Sequence, residues 1–410
     1  MSSSKAIKSI CVINGGGRLG RNILQSLVNI RENKSQLNIS SNSSKSSQVD
    51  PSFKIFTFVT PDRKDTFNSE GFVKQLDGVT VERTDGLGRK ELRDRFAKYD
   101  VLINATDFEK SYNEEEYESN VIEACFDGNV KRYIPADFTV DFNNFQNGEC
   151  EKMEIRKRIR SLLEKNQSKM SFTSILNGVF LERLFDPFYK WKILNLEEQL
   201  VEYYGKDNSD KVPMIDFSLY PEVGQLCALT STLLFDQTSN KTIPYVSQSY
   251  DMNELAEMLT NDLGHGKWKV KKIGTLKDLE KKIAERKSHR IQKMDENVDE
   301  EFAWDYLYAI FSEKGRLSQA TSTEYQSIKD VVERFSSVIS PLKGKEEMTP
   351  SVTSSGLERK DLFHKMVGDQ QVDKETLTKM CSSAGCGYVQ VATDSTSKIR
   401  PTGAPIKEGP

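Results

Sequence analysis

Three glycines spaced as Gly15-x-Gly17-x-x-Gly20 lie near the start of the chain, between a predicted strand and a predicted helix. The strand is the apolar run 9–13. The helix is predicted by apolar residues at helical spacing, which are Leu19, Ile23, Leu24, Leu27 and Ile30. A glycine turn that closes a strand and opens a helix is the context that a dinucleotide fingerprint requires.

Each glycine of this pattern has a physical role in such a fingerprint. The first permits the tight turn, the second lets a pyrophosphate approach the backbone, and the third lets the helix pack closely on the strand. The unpaired N–H groups and the positive dipole end of the helix then favour phosphate binding. The pattern therefore favours dinucleotide binding, with a purely structural glycine turn as the alternative.

The end of the second predicted strand, 54–59, is where such folds distinguish NAD from NADP. An acidic residue there binds the ribose 2′-hydroxyl of NAD, whereas basic residues accommodate the 2′-phosphate of NADP. The chain offers Asp62 as well as the pair Arg63 and Lys64, so these residues alone leave the choice open. Arg18, inside the glycine turn, is placed to add a contact to phosphate.

The elements that position these residues alternate between strand and helix. Further strands are predicted at 79–82, 101–105, 130–135 and 171–176, and helices at 90–98, 112–127 and 151–165. Such alternation favours a Rossmann-type α/β fold, a doubly wound parallel sheet covered on both faces. Residues 33–52, rich in serine and asparagine, predict an inserted surface loop, which is tolerated because loop-closure entropy grows slowly with length.

Composition bounds the function of the chain. A net charge of −3 over 410 residues argues against nucleic-acid binding, which would need a basic face. The longest apolar stretch, 223–235, is too short to span a membrane, and the N-terminus lacks the apolar core of a signal peptide. The cysteines show no disulfide spacing, so we expect reduced thiols and a cytoplasmic protein. Cys381 and Cys386, with His364 nearby, fall short of a metal site, and we expect no metal.

The second half of the chain is predicted to form a smaller domain at 177–320, of mixed helix and strand, after the Rossmann domain at 1–176. A charged amphipathic helix is predicted at about 276–294. An aromatic cluster within 302–311 is interpreted as core rather than as a ligand site. Residues 340–410 are polar and proline-containing, and predict a mostly disordered tail with one short helix near 373–381.

Four segments resemble a group of atypical short-chain dehydrogenases that contains isoflavone-reductase-like enzymes and NmrA-like proteins. The segment 14–20 is similar to the glycine turn of that group, with Asn14 in place of the first glycine. The segment 130–138 resembles its "VKRFIPSEFG" run. Residues 177–182 and 220–224 are looser matches to its "PGFFMEN" and "EDIG" segments.

This resemblance implies a Rossmann domain, a smaller C-terminal α/β substrate domain and a site in the cleft between them. It implies NADP(H) more often than NAD(H). It also implies that Ala136, Asp137 and Phe138 lie beside the nicotinamide. Together, the glycine motif and the resemblance predict a cofactor site formed by Gly15, Gly16, Gly17, Arg18, Leu19, Gly20, Arg63, Lys64, Ala105, Thr106, Ala136, Phe138 and Asn177.

One departure from the group bears on activity. Its reductases use a lysine in a Lys-x-x-Ile-Arg pattern, and aligning Ile159-Arg160 with that pattern places Arg156 at the lysine. Arginine stays protonated and is a poor general acid. If the protein is a reductase acting on a small organic substrate, Lys157 or Lys152 is the predicted proton donor. In the alternative, it is a non-catalytic NADP(H)-binding redox sensor that acts through a protein partner. The alternative to a lysine donor is that the charges of 151–165 form a solvated helix face with no catalytic role. The substrate and the oligomeric state stay open.

Overall fold

A computed structural model describes residues 6–33, 49–59, 73–83, 89–107, 114–185, 193–263, 266–290, 298–317 and 328–332. The strands are β1 (Ile7–Ile13), β2 (Val49–Val59), β3 (Val79–Arg83), β4 (Val101–Asn104), β5 (Arg132–Ile134), β6 (Ser171–Leu176), β7 (Val179–Phe180), β8 (Leu194–Asn195), β9 (Leu200–Gly205), β10 (Met214–Ser218), β11 (Lys241–Pro244), β12 (Gln248–Asp251) and β13 (Lys269–Thr275). The helices are α1 (Arg18–Asn33), α2 (Arg89–Phe96), α3 (Glu114–Gly128), α4 (Glu151–Lys165), α5 (Tyr220–Ser231), α6 (Met252–Leu263), α7 (Leu276–Arg290) and α8 (Val298–Phe311). Short 3₁₀ helices occupy Phe142–Asn144 and Leu181–Phe185.

The centre of the fold is a seven-stranded sheet in the order β3-β2-β1-β4-β5-β6-β11. All of its neighbouring strands are parallel. The chain builds outward from β1 to β3 and then crosses to β4 on the other side of β1, so the strand order reverses between β1 and β4. In open α/β sheets this reversal opens a crevice at the carboxyl ends of the strands, and ligands bind there.

Both faces of the sheet are buried, as the apolar strands predict. Ile10 and Val12 of β1 belong to one hydrophobic cluster, whereas Cys11 and Ile13 belong to the other. The second cluster contains apolar residues of α2, α3 and α4, which therefore cover the same face. Residues of α1 and α5 belong to the first cluster, on the opposite face.

The later part of the chain forms two small sheets, ordered β12-β10-β7 and β13-β9-β8. It also adds β11 to the edge of the central sheet, beside β6. Helix α5 packs closely on α1: a Cβ added at Gly224 would lie 2.7 Å from the carbonyl carbon of Asn22. Helix α8 buries Tyr306, Tyr308 and Phe311, and Val332 of the later helical segment 328–332 also belongs to the first hydrophobic cluster.

The predicted Rossmann-type fold is confirmed, and α4 and β6 have the predicted bounds. The predicted loop at 33–52 is wrong at its end, because β2 begins at Val49 and pairs with Ile7 of β1. The strand predicted at 130–135 is shorter, since only Arg132–Ile134 are paired in the sheet. Residues 34–48, 291–294 and the predicted tail at 340–410 lie outside the described residues.

Candidate functional site

The glycine turn lies at the strand reversal. Asn14 has a φ of +61°, a left-handed conformation that glycine adopts freely and asparagine tolerates better than most residues. Its backbone N–H donates to the carbonyl of Phe58, 3.0 Å away, and its Nδ2 donates to the carbonyl of Ala105 at 3.1 Å. Asparagine at the first position of the motif therefore ties the ends of β2 and β4 to β1.

Packing explains why Gly15 and Gly20 are glycines. A Cβ at Gly15 would lie 2.7 Å from Leu24 Cδ1 and clash with Thr57 Oγ1. A Cβ at Gly20 would clash with the Asn14 carbonyl oxygen and lie 2.7 Å from the Cα of Gly15. At Gly17 the nearest atoms to an added Cβ all belong to the Asn14 side chain, beginning 2.7 Å away.

Two arginines of α1 lie against this turn. The Nε of Arg21 donates to the carbonyl of Gly16 at 2.7 Å and so closes the turn onto the first helical residues. Arg18, the first residue of α1, is buried, and its charge acts on the Glu182 carboxyl. Burial raises the pKa of Glu182 to about 8, against the opposing effects of backbone N–H groups and Arg18.

Residues after β4 and β5 lie side by side at the same edge of the sheet. Ala105 and Thr106 follow β4, and the Thr106 N–H donates to Asn104 Oδ1 at 3.2 Å. Ala136 follows β5 and is buried, and its N–H donates to Glu118 Oε1 at 3.0 Å. The structure therefore brings these predicted residues together by hydrogen bonds to side chains in their own sheet and in α3.

Asp137 and Asn177 are buried polar residues beyond β5 and β6. Asp137 Oδ2 accepts from Ser174 Oγ at 2.7 Å and from Arg160 Nη2 at 3.2 Å. Asn177 Nδ2 donates to Ser218 Oγ at 2.7 Å. Its Oδ1 is buried and accepts no hydrogen bond from the described residues. Asn177 thus keeps an acceptor available at the carboxyl edge of the sheet.

Three basic residues of α4, Lys152, Arg156 and Arg160, are buried and paired in the interior rather than solvated. Lys152 Nζ lies 2.8 Å from Glu114 Oε2, and both side chains are almost fully buried. Arg156 Nη1 lies 2.8 Å from Glu118 Oε2, and Arg156 Nη2 contacts Glu114 Oε1. The prediction of a solvated face is therefore wrong for Lys152, Arg156 and Arg160, because acids from α3 and the end of β5 pair with them.

Lys157, the other candidate proton donor, has a different environment. It is half-buried, and its ammonium group donates to the carbonyl of Phe145. The neighbouring buried groups have shifted pKa values. Burial raises the pKa of Glu118, and the positive charge of Arg156 partly offsets this rise. Burial alone would lower the pKa of the Arg156 guanidinium, but the carboxylates of Glu114, Glu118 and Asp137 raise it, so Arg156 stays protonated.

A second charged group spans the crevice. Arg183 Nε donates to the hydroxyl of Tyr220 at 3.0 Å, and its Nη2 lies 3.2 Å from Asp107 Oδ2. The rings of Tyr220 and Phe180 are stacked with centroids 4.0 Å apart. Because Asp107 follows β4 whereas Tyr220 begins α5, this group connects the central sheet to the later part of the chain.

The sequence did not reveal several of these residues. Glu114 and Glu118 are one helical turn apart on α3, and Lys152 and Arg156 have the same spacing on α4. Matching acidic and basic pairs on two helices is a signal that could have indicated their contact.

Two of the predicted cofactor residues, Arg63 and Lys64, lie outside the described residues. Within the described chain, no group of three or more His, Cys, Asp or Glu residues could hold a metal ion, and no helix is long and apolar enough to cross a membrane.

A family model described as the NmrA-like family matches residues 6–339, most of the chain. The chain belongs to the NmrA-like family. The resemblance seen in its segments is thereby confirmed. Its Asn14 and Arg156 are thus departures from the motifs expected of this group.

Known proteins are similar to this NmrA-like chain over more than half of its length. An NmrA-like family domain-containing oxidoreductase of Gibberella moniliformis is 22% identical over 243 residues, which cover 57% of this chain and 74% of the relative. Two solved structures share its fold at 15% identity, each with 81% of this chain and 99% of the other covered. They are AtPrR2 with NADP+ and (+)pinoresinol, with a TM-score of 0.58, and the leucoanthocyanidin reductase–NADPH complex from Vitis vinifera, with a TM-score of 0.55.

Proposed function

We propose that this NmrA-like protein is an NADP(H)-dependent oxidoreductase that transfers hydride between the dinucleotide and a small organic molecule. The observation that carries the proposal is the glycine turn at the reversal of strand order, where α/β sheets bind ligands. Family membership and the NADP(H)-containing structures of the same fold support NADP(H), with NAD(H) less favoured.

The residues at this edge fit a dinucleotide. The turn 15–20 and the start of α1 would hold the pyrophosphate, since backbone N–H groups and the helix dipole favour anions there. Ala105, Thr106, Ala136 and Phe138 would lie along the nicotinamide half. The buried Asn177 Oδ1, which has no donor among the described residues, fits an amide donor such as the nicotinamide carboxamide. The bound cofactor would supply the hydride chemistry itself.

The proton donor of such a reaction is proposed on α4. Lys157 is the stronger candidate, because Lys152 is held in a buried pair with Glu114. Lys157 is half-buried and contacts a backbone carbonyl.

We propose that the protein works in a reducing compartment such as the cytoplasm. Such a compartment suits the buried free thiols of Cys11, Cys125, Cys150 and Cys227.

A second function is favoured by one observation. Arg156 stands at the lysine of the reductase pattern and is enclosed by carboxylates, so α4 holds a permanent charge at that position. We propose as the alternative a redox sensor that binds NADP(H) without turnover and changes its affinity for a protein partner. Linkage requires that such a partner in turn changes the affinity for the dinucleotide.

The test of dinucleotide binding is calorimetry of NADPH and NADH with the wild-type chain and Gly17→Val. We expect the wild type to bind NADPH and the variant to bind neither, because a branched side chain at Gly17 fills the space where the backbone must approach the pyrophosphate. Gln25→Val is the matched control, since it places the same side chain on the exposed face of α1. Equal affinity of Gly17→Val and wild type for NADPH would overturn the proposed site.

A further inference from the structure

Glu118 is a buried carboxylate on which several donors converge. Its Oε1 accepts from the hydroxyl of Tyr133 and from the N–H of Ala136, each 3.0 Å away. Its Oε2 accepts from Arg156 Nη1 at 2.8 Å. The side chain has no solvent exposure, so these protein donors replace the water that an ionised carboxylate would otherwise require.

The hydrogen bonds of Glu118 reach the ends of two neighbouring strands. Ala136 is the second residue after β5, and its backbone is held directly. The Tyr133 hydroxyl donates to Glu118 and accepts from Asn104 Nδ2 at 3.0 Å. Asn104 Oδ1 in turn accepts from the N–H of Thr106 at 3.2 Å. One carboxylate therefore sets the backbone that follows β4 and the backbone that follows β5.

Arg156 is suited to hold this carboxylate. A guanidinium is planar, permanently charged and carries donors in a fixed fork, so it binds two carboxylates at once. Arg156 contacts Glu118 with Nη1 and Glu114 with Nη2. Donors reach both oxygens of Glu118, because Tyr133 and Ala136 donate to Oε1 and Arg156 donates to Oε2. Only the ionised carboxylate accepts at both oxygens, whereas a protonated one would have to donate from one of them.

We propose that Glu118, held by Arg156, is the positioning residue for the nicotinamide half of the dinucleotide site. It sets the backbone of Thr106 and Ala136 against the ring. Arg156 stands where reductases of the group have a lysine, and in this chain it fixes the Glu118 side chain that positions the backbone of the site. This inference rests on the proposed function, because it requires a dinucleotide at the glycine turn.

The test separates the two halves of the dinucleotide. NADPH carries both halves, whereas adenosine 2′,5′-bisphosphate carries only the adenine half. Glu118→Gln keeps the shape of the side chain and removes its charge. We expect this variant to bind NADPH about 10-fold more weakly than wild type, as expected for the loss of a well-aligned hydrogen bond to a charged group, and to bind the bisphosphate unchanged.

Glu115→Gln is the matched control for the charge. Glu115 pairs with Arg158 at 2.7 Å, which links the same two helices on the exposed surface without contact to the strand ends. We expect this variant to bind both probes as wild type does. Equal loss for NADPH and the bisphosphate in Glu118→Gln would show a general structural role and overturn the proposal, as would an unchanged NADPH affinity.

Tyr133→Phe tests the same network if Glu118→Gln does not fold. It removes only the hydroxyl between Glu118 and Asn104, and we expect a loss of NADPH affinity without a loss of bisphosphate affinity. Tyr99→Phe is its control, because the Tyr99 hydroxyl donates to Glu82 at 2.9 Å on the same face of the sheet. Equal NADPH affinities of these two variants would overturn the proposal. A wild-type chain that binds neither probe would instead reject the proposed function, and this inference with it.

Discussion

At the scale of single residues, two substitutions set this chain apart within its group. Asn14 replaces a glycine and keeps its left-handed backbone, because its amide also bonds to Ala105 across the strand reversal. Arg156 replaces a lysine and gains two carboxylate partners that a point charge could not hold in the same way. Both changes add contacts to the frame of the site and leave the glycine turn intact.

Glu182 gives a residue-scale prediction on pH. Its Oε1 accepts from the N–H of Tyr220 at 2.9 Å, and burial raises its pKa from 4.5 to about 8. Between these values the folded chain keeps a proton that the unfolded chain releases. Stability therefore falls as pH rises through this window, with a slope of up to about 1.4 kcal/mol per pH unit from this group.

Glu182→Gln removes that slope and keeps the acceptor for Tyr220. Urea unfolding of wild type and variant at pH 6, 7 and 8 should show the variant gaining on wild type by about 1 kcal/mol per pH unit. Glu115→Gln serves as the control, because Arg158 lowers the pKa of that carboxyl and the group is ionised throughout this range. Parallel stabilities of wild type and Glu182→Gln would contradict the prediction.

At the scale of elements, the site is a junction of helix starts and strand ends. The first turns of α1, α3 and α4 all lie towards the carboxyl edge of the sheet, because each helix follows a parallel strand that ends there. Helix α5 is added to this junction by its close packing on α1, which places Tyr220 beside Arg183. We expect the position of α1, and so of the glycine turn, to depend on that contact.

Gly224→Ala tests the α1–α5 contact. Alanine favours a helix over glycine by about 1 kcal/mol. The new Cβ would lie 2.7 Å from the backbone carbonyl carbon of Asn22, which no rotamer change can relieve. Overpacking of this kind costs about 1–3 kcal/mol, so we expect a net loss of stability in urea unfolding.

The control for this substitution is Gln225→Ala, which changes the next residue of α5 and lies partly exposed. It should destabilise the protein less than Gly224→Ala does, because it removes side-chain atoms without placing any against the backbone of Asn22. A stabilised Gly224→Ala variant would mean that α5 can move away from α1 at little cost. The packing at Gly224 would then not determine the position of the glycine turn.

At the scale of the whole molecule, the later part of the chain is joined to the central sheet in several ways. Strand β11 extends that sheet, and the pair of Arg183 with Asp107 crosses the crevice. After α8, the carbonyl of Gly315 accepts from the N–H of Asp141, which follows β5, at 2.9 Å. A substrate or a partner would therefore meet a crevice with connected walls.

The choice between reductase and sensor belongs to this scale. NADPH oxidation should be screened with enones, quinones and aromatic alcohol esters. If a substrate is turned over, we expect Lys157→Ala to lower kcat by about 10²–10⁴-fold with NADPH affinity kept, as for loss of a general acid. Lys165→Ala, at the far end of α4, is the control.

Three outcomes bear on the role of Lys157 and on the choice between reductase and sensor. Full kcat in Lys157→Ala would exclude that lysine as the donor, and Lys152→Ala would then be compared in the same assay. No turnover, together with a pull-down partner whose binding changes with NADPH, would establish the sensor. Activity gained by Arg156→Lys would show that the wild-type site lacks the acid of the reductases.

The sequence by itself determined the alternating architecture, the glycine turn and the bounds of α4 and β6. These follow from patterns a few residues long: apolar runs, helical periodicity and the conformational freedom of glycine. It predicted Ala105, Thr106 and Ala136 near one edge, because parallel strands bring their carboxyl ends together. It also indicated the family, through short segments that lie at those ends.

Only the tertiary structure decided what the charges of α4 do. Glu118 and Arg156 are 38 residues apart, and Arg183 and Asp107 are 76 apart. No local pattern distinguishes a basic residue on a solvated face from one that meets a buried acid, because the free energy of each charge depends on burial and on its partner. The addition of β11 to the sheet and of α5 to α1 was likewise determined by packing between distant segments, which local periodicity does not encode.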